Sequence, residues 1–402
     1  MIDNNRKSLL VIYQQVLDAV NGQKCVHDYL AHASIGSNQY IIAIGKAAPA
    51  MMQGALSNLA KGIVITRHGY GENLFATNDR ICMIESGHPA PDESSLVAGK
   101  RLLEFIRDIP HGANCLFLLS GGASALVEVL PEGIDIDDLI KVNNWLLGSG
   151  LAINEMNVVR KSLSCIKGGR LAKHFNGINL HQLVMSDVIG DQLDIIGSGL
   201  LVPSNHTPLS SKIPDWIQNL INKAPPTPDK GFPVPDTAIL ANNLTAMQEA
   251  KEKALSLGMT VFLHPEPLID EVQQVADRLS CYINTAQQGL HVFGGEPVIN
   301  LPAHAGRGGR MQALALLLAQ AIARRDDVLV LCGSTDGSDG SGEDAGALVD
   351  GTTLERGEMG GFDIDDCIRR ADAGSFLEAA GDLIQTGPTG SNVNDLVLVL
   401  IK

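Results

Sequence analysis

The stretch 116–126, LFLLSGGASAL, decides the fold class of this chain, because an apolar, strand-like run passes directly into a turn of Gly and Ser. The same arrangement recurs at four further places: IIAIGKAA (41–48), LVMSDVIGD (183–191), HVFGGEP (291–297) and LVLCGSTDGSDGSGED (329–344). In an open α/β sheet such strand ends lie along one edge, and ligands bind outside them near the N-termini of the following helices. The five loops therefore predict an α/β protein that handles phosphate.

Strand-like and helical segments alternate along the rest of the chain, which predicts a Rossmann-like, doubly wound parallel sheet in the N-terminal part. A stretch with five prolines, APPTPDKGFPVPD (224–236), indicates a linker. We therefore expect an N-terminal domain over residues 1–228 and a smaller C-terminal α/β domain over 237–402, with an active-site cleft between them. The final strand, in DLVLVLIK (395–402), is placed in the second sheet, and a return to the first sheet is left open.

Charge and hydropathy exclude several classes of partner. The 402-residue chain has a formal net charge of -15, which repels nucleic acid and anionic membranes. No apolar run reaches the roughly 20 residues that span a bilayer, and the opening MIDNNRKSLL does not form a secretory signal. We expect a cytoplasmic protein whose anionic substrates are attracted by local groups.

The turn LSGGASAL (119–126) has the residues of an anion site. Gly121 and Gly122 allow the backbone to approach a phosphate closely, and Ser120 and Ser124 add hydroxyl donors near a helix start. The alternative is an ordinary tight turn between a strand and a helix. The sequence contains no G-x-x-x-x-G-K-[ST] motif, so this is not a Walker-type phosphate loop.

Three cations lie where the sequence predicts helix starts. Lys46 follows the first central strand, where a compact charge beside free N–H groups suits a phosphate or a carboxylate, although a solvated lysine is the alternative. Arg307 and Arg310 open a leucine-rich helix predicted over 309–324. Because arginine is unfavourable at the positive end of a helix dipole, we expect at least one of the two to contact a ligand anion.

Carboxylates follow several of the predicted strands. Asp187 and Asp191 lie in SDVIGD, where each either binds Mg²⁺, accepts a proton from a substrate hydroxyl, or caps a turn. The acidic loop 333–346, which includes Asp336, is interpreted as a flexible loop that binds Mg²⁺ with a nucleotide, against the alternative of solvated loop acids. Glu296 in GGEP is a further candidate of the same kind.

Read in order, these motifs resemble the glycerate 2-kinase family, also called class II glycerate kinases or the MOFRL family. The resemblance covers almost the whole chain. It rests on AIGKAAPAM (43–51), SGGASAL (120–126), NVVRKSLSCIKGGRLA (157–172), SDVIGD (186–191), GGEP (294–297), GRGGR (306–310), GSTDGSDGSGEDAGA (333–347) and TGPTGSNVNDL (386–396).

The resemblance implies an enzyme that uses ATP and Mg²⁺ to phosphorylate D-glycerate at its 2-hydroxyl, giving 2-phosphoglycerate. Lys46, Arg310 and Asp187 match family positions and become the predicted catalytic residues. Phosphoryl transfer depends mostly on positioning and on charge stabilisation, which these residues and the backbone of the SGGASAL turn can supply. A homodimer is a possible assembly.

The same resemblance suggests how glycerate is held. The segment NVVRKSLSCIKGGR brings Arg160, Lys161 and Lys167, one of which is expected to bind the glycerate carboxylate. Asn394, in TGPTGSNVNDL, is expected to line the substrate pocket, although this loop also makes a good ordinary turn. Asp191, Glu296 and Asp336 are the predicted metal ligands.

Two alternative functions remain open. Members of the family are often labelled hydroxypyruvate reductases, but no G-x-G-x-x-G dinucleotide fingerprint follows any predicted strand. The chain also departs from the family, because Met311 and Ala313 flank Gln312 where Asn-Gln-Glu is usual. That departure keeps open a catalytically idle protein that binds a sugar acid or a nucleotide.

Overall fold

The computed structural model describes residues 2–33, 35–37, 39–71, 74–203, 208–226, 235–340 and 342–402, with the side chains of residues 2, 3 and 153 left out. The chain divides into two compact units. Residues 22–240 form the N-terminal unit, and residues 1–21 together with 241–402 form the C-terminal unit. Most of the linker predicted at 224–236 lies outside the described residues.

The N-terminal unit is built on one six-stranded sheet with the order β3-β2-β1-β4-β5-β6. Its strands are β1 (Gln39–Ile44), β2 (Leu59–Arg67), β3 (Ile81–Ser86), β4 (Asn114–Leu119), β5 (Asn179–Met185) and β6 (Asp236–Ala241). Its helices are α2 (Gly22–His32), α3 (Ala48–Gly54), α4 (Glu93–Arg107), α5 (Ala123–Leu126), α6 (Ile136–Gly148), α7 (Ile153–Ser162) and α8 (Asp215–Ile221), with 3₁₀ turns at Leu56–Asn58, Arg170–Phe175 and Ile196–Ser198. The first five strands pair in parallel.

The continuous apolar runs of β1 and β4 explain why these two strands lie in the middle of that sheet. Almost every residue of both strands is buried, as expected where helices cover both faces of a parallel sheet. The strand order reverses direction between β1 and β4, which makes their carboxyl ends the topological switch point of the sheet. The predicted Rossmann-like, doubly wound fold is confirmed.

The C-terminal unit contains a second six-stranded sheet with the order β11-β10-β9-β12-β8-β7. Its strands are β7 (Val261–Leu268), β8 (Gly289–Gly295), β9 (Val328–Ser334), β10 (Gly346–Asp350), β11 (Leu383–Ile384) and β12 (Asp395–Ile401). Its helices are α1 (Ile2–Ala19), α9 (Asn243–Ser256), α10 (Val272–Ile283), α11 (Arg310–Ala321), α12 (Thr353–Met359), α13 (Ile364–Arg369) and α14 (Ala373–Ala380). This sheet is mixed, because β12 runs antiparallel to both of its neighbours, β8 and β9.

The final strand thus lies inside the second sheet, and its antiparallel direction places its first residue beside the last residues of β8 and β9. The leucine-rich segment forms α11, which is buried on several sides; Met311, Leu314, Ala315 and Leu318 are all inaccessible to solvent. Of the helices in the described residues, none is long and apolar enough to cross a membrane.

Two elements differ from the predicted division of the chain. Helix α1 packs on α9 and β9 of the C-terminal unit, since one face of it carries apolar residues that become buried there, among them Leu9, Ile12 and Val16. Strand β6 extends the first sheet beside β5, although the sequence placed it in the second domain. The proline-rich stretch therefore precedes the last strand of the first sheet. That both units line one cleft stays a prediction.

Candidate active site

Two of the predicted loops form a single structure at the switch point of the first sheet. The Lys46 amide donates to the carbonyl oxygen of Gly121 at 2.9 Å, and the Ala47 amide donates to Ser120 Oγ at 3.0 Å. The Ser120 amide in turn donates to the Ile44 carbonyl oxygen at 3.0 Å. The turn after β1, which contains Lys46, is therefore fastened to the SGGASAL turn after β4.

Close packing at this junction requires Gly122. Gly122 has a positive φ of 85°, and a β-carbon there would lie 3.3 Å from Lys46 Cγ and 3.0 Å from His88 Cδ2. Lys46 and His88 therefore approach the turn closely at Gly122. His88 belongs to the loop after β3, which the fold brings to this edge of the sheet.

The serines of the turn have different surroundings. Ser120 is buried and its hydroxyl accepts the Ala47 amide, so in this structure it joins the two turns. Ser124 is half-buried, and its Oγ lies 2.7 Å from Ser198 Oγ. The predicted phosphate contacts of Ser120, Gly121, Gly122 and Ser124 stay predictions, and the backbone around Gly122 has the close approach that such contacts need.

The loop after β5 brings the two predicted aspartates to the same edge of the first sheet. Asp187 is half-buried two residues beyond the end of β5, which is paired with β4. Asp191 has a φ of 53° and closes a turn in which its amide donates to the Val188 carbonyl oxygen. Asp187 is therefore closer than Asp191 to the end of β5, and β5 is the neighbour of the strand that carries the SGGASAL turn.

Of the three candidates for the glycerate carboxylate, Lys161 donates to the Asp194 carbonyl oxygen at 2.5 Å, while Arg160 and Lys167 have opposite environments. Lys167 is buried, and its Nζ donates to Glu128 Oε2 at 2.6 Å, while Ser164 Oγ donates to Glu128 Oε1 at 2.5 Å. A buried ammonium that is paired with a buried carboxylate acts as a structural ion pair, so the structure argues against a substrate-binding role for Lys167.

Arg160 is half-buried, and its guanidinium donates to the amide oxygens of Asn143 at 3.0 Å and Asn157 at 3.3 Å. Partial burial lowers the pKa of Arg160. No carboxylate of the described residues forms an ion pair with this guanidinium, so its charge is available to an anion. Arg160 therefore remains the better candidate for the glycerate carboxylate.

In the C-terminal unit, Arg310 lies at the first position of α11 and faces the edge where β8 and β9 end. Its Nε donates to Asp395 Oδ2 at 2.5 Å, its Nη2 donates to Asp395 Oδ1 at 3.3 Å, and its Nη1 lies 3.1 Å from Glu296 Oε1. Asp395 starts β12 and is paired with Gly295 of β8 and Ser334 of β9. The fold thus aims the guanidinium, while two of its five N–H donors make no contact with these two carboxylates.

An internal carboxylate satisfies the start of α11. Asp339 accepts the Met311 amide at 3.0 Å and the Gln312 amide at 2.7 Å. Burial raises the pKa of Asp339 to about 7. Asp339 of the acidic loop is therefore the carboxylate that caps the positive end of the α11 dipole. The sequence had not indicated this capping role.

Arg307 has a structural environment. Its guanidinium bonds to Asp344 at 2.7 Å and to Glu378 at 2.5 Å, and its amide donates to Asp372 at 3.0 Å. These contacts fasten the segment before α11 to the acidic loop and to α14. Each arginine of GRGGR thus contacts two carboxylates, and Arg310 is the one that lies at the edge where β8 and β9 end and β12 begins.

Carboxylates outnumber cations around Arg310. Asp336 accepts hydrogen bonds from Ser334 Oγ at 3.1 Å and from the Ser338 amide at 3.0 Å. Burial raises the pKa of Asp395, and the nearby charges of Glu296 and Asp336 raise it further, against the lowering effect of Arg310. Such an excess of negative charge favours a bound cation.

The described residues contain no group of three His, Cys, Asp or Glu side chains placed to hold a metal ion. Mg²⁺ is usually held by one or two carboxylates together with phosphate oxygens and water, and Glu296 and Asp336 supply oxygen ligands of that kind. Asp191 belongs to the other unit. The donors therefore fit a metal that arrives with a nucleotide, and they do not form an all-protein cage.

The loop TGPTGSNVNDL is tied to the acidic loop through its backbone. The Asn394 carbonyl oxygen accepts the Thr335 amide at 3.1 Å and Thr335 Oγ1 at 2.7 Å. Asn394 is buried and has a φ of 65°. This geometry places Asn394 directly before Asp395, at the same sheet edge as Arg310.

A Rossmann-like sheet with a lysine at its switch point, and a second sheet that aims an arginine among carboxylates, define an α/β enzyme that acts on anionic substrates. Residues 289–395 match the MOFRL family, and residues 8–214 match a family described as a domain of unknown function, DUF4147. A D-glycerate 2-kinase of Thermotoga maritima is 31% identical over 98% of each chain. The crystal structure of glycerate kinase from Thermotoga maritima covers 100% of both chains, with a TM-score of 0.85 at 30% identity. The chain belongs to the glycerate 2-kinase family.

Names within the family vary. A relative from Agrobacterium vitis, named a putative hydroxypyruvate reductase, is 33% identical over 90% of this chain and 98% of its own length. The departures at Met311 and Ala313 leave the partners of Arg310 in place. Met311 packs in the core of the C-terminal unit, and Ala313 packs against that core.

Proposed function

We propose that this protein transfers the γ-phosphoryl group of ATP to the 2-hydroxyl of D-glycerate. The hydroxyl oxygen forms a bond to phosphorus as the bond to the β-phosphate oxygen breaks, giving 2-phosphoglycerate, ADP and a proton. The observation that carries the proposal is Lys46 at the switch point, fastened to the SGGASAL turn through Gly121. The family membership supports the same substrates, because its relatives include a D-glycerate 2-kinase.

Lys46 and the backbone around Gly122 supply positive charge and close backbone approach where a phosphate chain can lie. Arg160 binds the glycerate carboxylate, since its guanidinium is hydrogen-bonded to neutral amides. Asp187 accepts the proton of the attacking hydroxyl, as a carboxylate at the end of a strand can do.

Arg310 stabilises the charge that develops on the transferred phosphoryl group. Two of its N–H donors remain available for phosphoryl oxygens while Asp395 and Glu296 hold the guanidinium in a fixed orientation. Preorganised charge of this kind is the main protein contribution to phosphoryl transfer, because the transition state spreads negative charge over the phosphoryl oxygens. Asn394, at the same sheet edge, lines the pocket for glycerate, the substrate that accepts the phosphoryl group.

Mg²⁺, when bound with ATP, neutralises negative charge on the phosphate oxygens. Glu296 and Asp336 would hold it, and the role of Asp191 as a metal ligand stays a prediction. Both carboxylates of the C-terminal unit act on Asp395, the partner of Arg310, and their excess charge is the observation that favours a cation there.

Hydroxypyruvate reduction is the second candidate, favoured by the name of the Agrobacterium vitis relative. The turn between β1 and α3 argues against it, because a nicotinamide dinucleotide needs the G-x-G-x-x-G fingerprint at that place and this chain has Gly45-Lys46-Ala47-Ala48-Pro49. A catalytically idle protein is the third. The intact Lys46 and Arg310 environments argue against it.

The test is an ATP-consumption assay on the purified protein with D-glycerate, L-glycerate and hydroxypyruvate, with the phosphate position assigned by NMR. We expect ADP formation with D-glycerate and a product phosphorylated at position 2. Oxidation of NADH or NADPH by hydroxypyruvate, without ATP turnover on glycerate, would establish the reductase. Binding of ATP and glycerate in calorimetry with no turnover in Mg²⁺ would establish the idle protein.

Asp187→Asn tests the proposed base. We expect kcat to fall at least about a hundredfold, which is within the typical contribution of a general base. Asp108→Asn, at an exposed position after α4, is the matched control and is expected to retain full activity. An unchanged rate and Mg²⁺ requirement in Asp187→Asn would exclude this role. The homodimer and the cytoplasmic location remain predictions.

A further inference from the structure

Helix α1 contacts three separate loops of the C-terminal unit along its length. Arg6, in its first turns, bonds to Asp350 at 2.5 Å and to Asp382 at 2.6 Å. Tyr13, two turns later, reaches the end of β9, and Asn21, just beyond the helix, donates to the Thr389 carbonyl oxygen at 2.8 Å. The N-terminal segment thus contacts both ends of the second sheet: Arg6 lies at the end where β10 finishes, and Tyr13 lies at the edge that carries Arg310.

Tyr13 makes the most deeply buried of these contacts. Its side chain is nearly inaccessible, and its hydroxyl donates to the Ser334 carbonyl oxygen at 2.6 Å. Its ring packs over the backbone of Gly333, where a β-carbon would come within 2.7 Å of Tyr13 Cζ. The phenol therefore fits a space that the backbone of β9 leaves for it.

Ser334 is the point where β9 becomes the acidic loop. It is paired with Asp395, and its Oγ donates to Asp336 Oδ1 at 3.1 Å. Its carbonyl oxygen also accepts the Gly337 amide at 3.4 Å, in the first turn of the loop. A shift of Ser334 would therefore move both Asp395, the partner of Arg310, and the predicted metal ligand Asp336.

Asn21 reinforces the same network from the other side. Thr389, whose carbonyl oxygen accepts Asn21 Nδ2, donates through its own hydroxyl to the Thr335 carbonyl oxygen at 2.6 Å. Thr335 in turn is bonded to Asn394. The two contacts from the N-terminal segment thus hold adjacent loops that are also bonded to each other.

We infer that Tyr13 is a positioning residue for phosphoryl transfer: its hydroxyl fixes the end of β9, and through it the orientation of the Arg310–Asp395 pair. Tyr13 touches neither substrate. The inference rests on the proposed kinase function, because it concerns the site of that reaction. We therefore expect that removal of the Tyr13 hydroxyl lowers kcat, although the group that acts on the phosphoryl group is Arg310.

The experiment compares Tyr13→Phe with Tyr282→Phe in the full-length protein. The hydroxyl of Tyr282, on α10, lies 2.8 Å from His291 Nδ1, so the variant loses a hydrogen-bonded phenol from the same unit. His291 lies four residues before Gly295, away from the sheet edge that carries Arg310. The pair therefore matches the chemical change and the loss of a hydrogen bond, but differs in position.

We expect Tyr13→Phe to lower kcat about tenfold with the KM values for ATP and glycerate within about twofold of the wild type. Hydrogen exchange at residues 334–340 should become faster in this variant and stay unchanged in Tyr282→Phe. A kcat within twofold of the wild type, or unchanged exchange at 334–340, would overturn the inference.

Failure of the kinase function and failure of the positioning role give different experimental results. If the wild-type protein does not phosphorylate glycerate, the proposed function fails while the exchange measurement still reports on the contact between Tyr13 and Ser334. If the wild type is an active kinase and Tyr13→Phe matches Tyr282→Phe in kcat, the positioning role fails and the kinase remains.

Discussion

Replacing Arg310 by Met separates the stability of the C-terminal unit from its catalysis. The Asp395 side chain is 1% exposed and the Arg310 side chain 31% exposed, so the change leaves a buried carboxylate without its cation. Breaking a buried pair in this way costs about 3–5 kcal/mol of unfolding free energy. Because the guanidinium is partly exposed, we expect the lower end, about 3 kcal/mol.

The double variant Arg310→Met/Asp395→Asn is expected to recover part of this loss. With both members of the Arg310–Asp395 pair replaced by neutral side chains, the cost falls to the lost hydrogen bonds, about 1–2 kcal/mol. The double-mutant cycle with Asp395→Asn should then give a coupling energy of about 2 kcal/mol between the two side chains. Activity does not recover, since removal of a preorganised cation should lower kcat/KM at least about a hundredfold in both variants that lack Arg310.

The loss of unfolding free energy in Arg310→Met also depends on pH. Burial already raises the pKa of Asp395, and the removal of Arg310, which lowers it, raises it further. The folded state then binds more protons than the unfolded state, so its stability falls as the pH rises above the unfolded value of about 3.9. The variant should be closer to the wild type at pH 5 than at pH 8.

The assay is urea unfolding followed by far-UV circular dichroism and hydrogen exchange. Both tryptophans, Trp145 and Trp216, belong to the N-terminal unit, so tryptophan fluorescence serves as an internal reference for that unit. Unchanged stability of the C-terminal unit in Arg310→Met, or a coupling energy below about 0.5 kcal/mol, would refute the ion-pair argument. Near-normal kcat/KM in the folded variant would refute the catalytic assignment.

Three further changes test other parts of the structure. Lys46→Ala should lower kcat/KM at least about a hundredfold without unfolding, whereas Lys61→Ala, exposed on β2, should not; equal rates would remove Lys46 from the site. Lys167→Met should lower the unfolding free energy, measured in urea, by about 3–5 kcal/mol, and the double variant with Glu128→Gln should recover part of this loss. The KM for glycerate should stay unchanged. A raised KM at full stability would restore the substrate role of Lys167. Since the pKa of Asp339 is raised to about 7, its carboxyl should make the folded state less stable as the pH rises from about 4 to about 7, and this part of the pH dependence should be absent from unfolding curves of Asp339→Asn.

Much of the fold follows from local patterns. The buried strands β1 and β4 are recognisable as continuous apolar runs, and their Gly-rich ends mark the edge where Lys46 and Gly122 meet. Alternation of strands and helices indicates the α/β class. It does not indicate the antiparallel entry of β12 between β8 and β9, because an apolar strand pairs equally well in either direction.

The partners of charged side chains could not be predicted in the same way. Lys167 and Arg160 lie in one cationic segment of the sequence, yet one is neutralised by Glu128 and the other is not. Likewise, the dipole argument required an anion at the start of α11, and the structure supplies Asp339. In both cases the carboxylate that pairs with the positive group is distant from it in sequence, so the sequence does not show which residue it is.

The sequence by itself determined the α/β class, the Gly-rich turns at the strand ends and the family, since each depends on residues that are neighbours along the chain. Only the tertiary structure decided that α1 belongs to the C-terminal unit and that Arg310 is held by Asp395, a residue 85 positions away. The physical reason is that an ion pair or a buried hydrogen bond needs a particular separation and burial of two side chains. Those quantities exist only after the sheets have assembled.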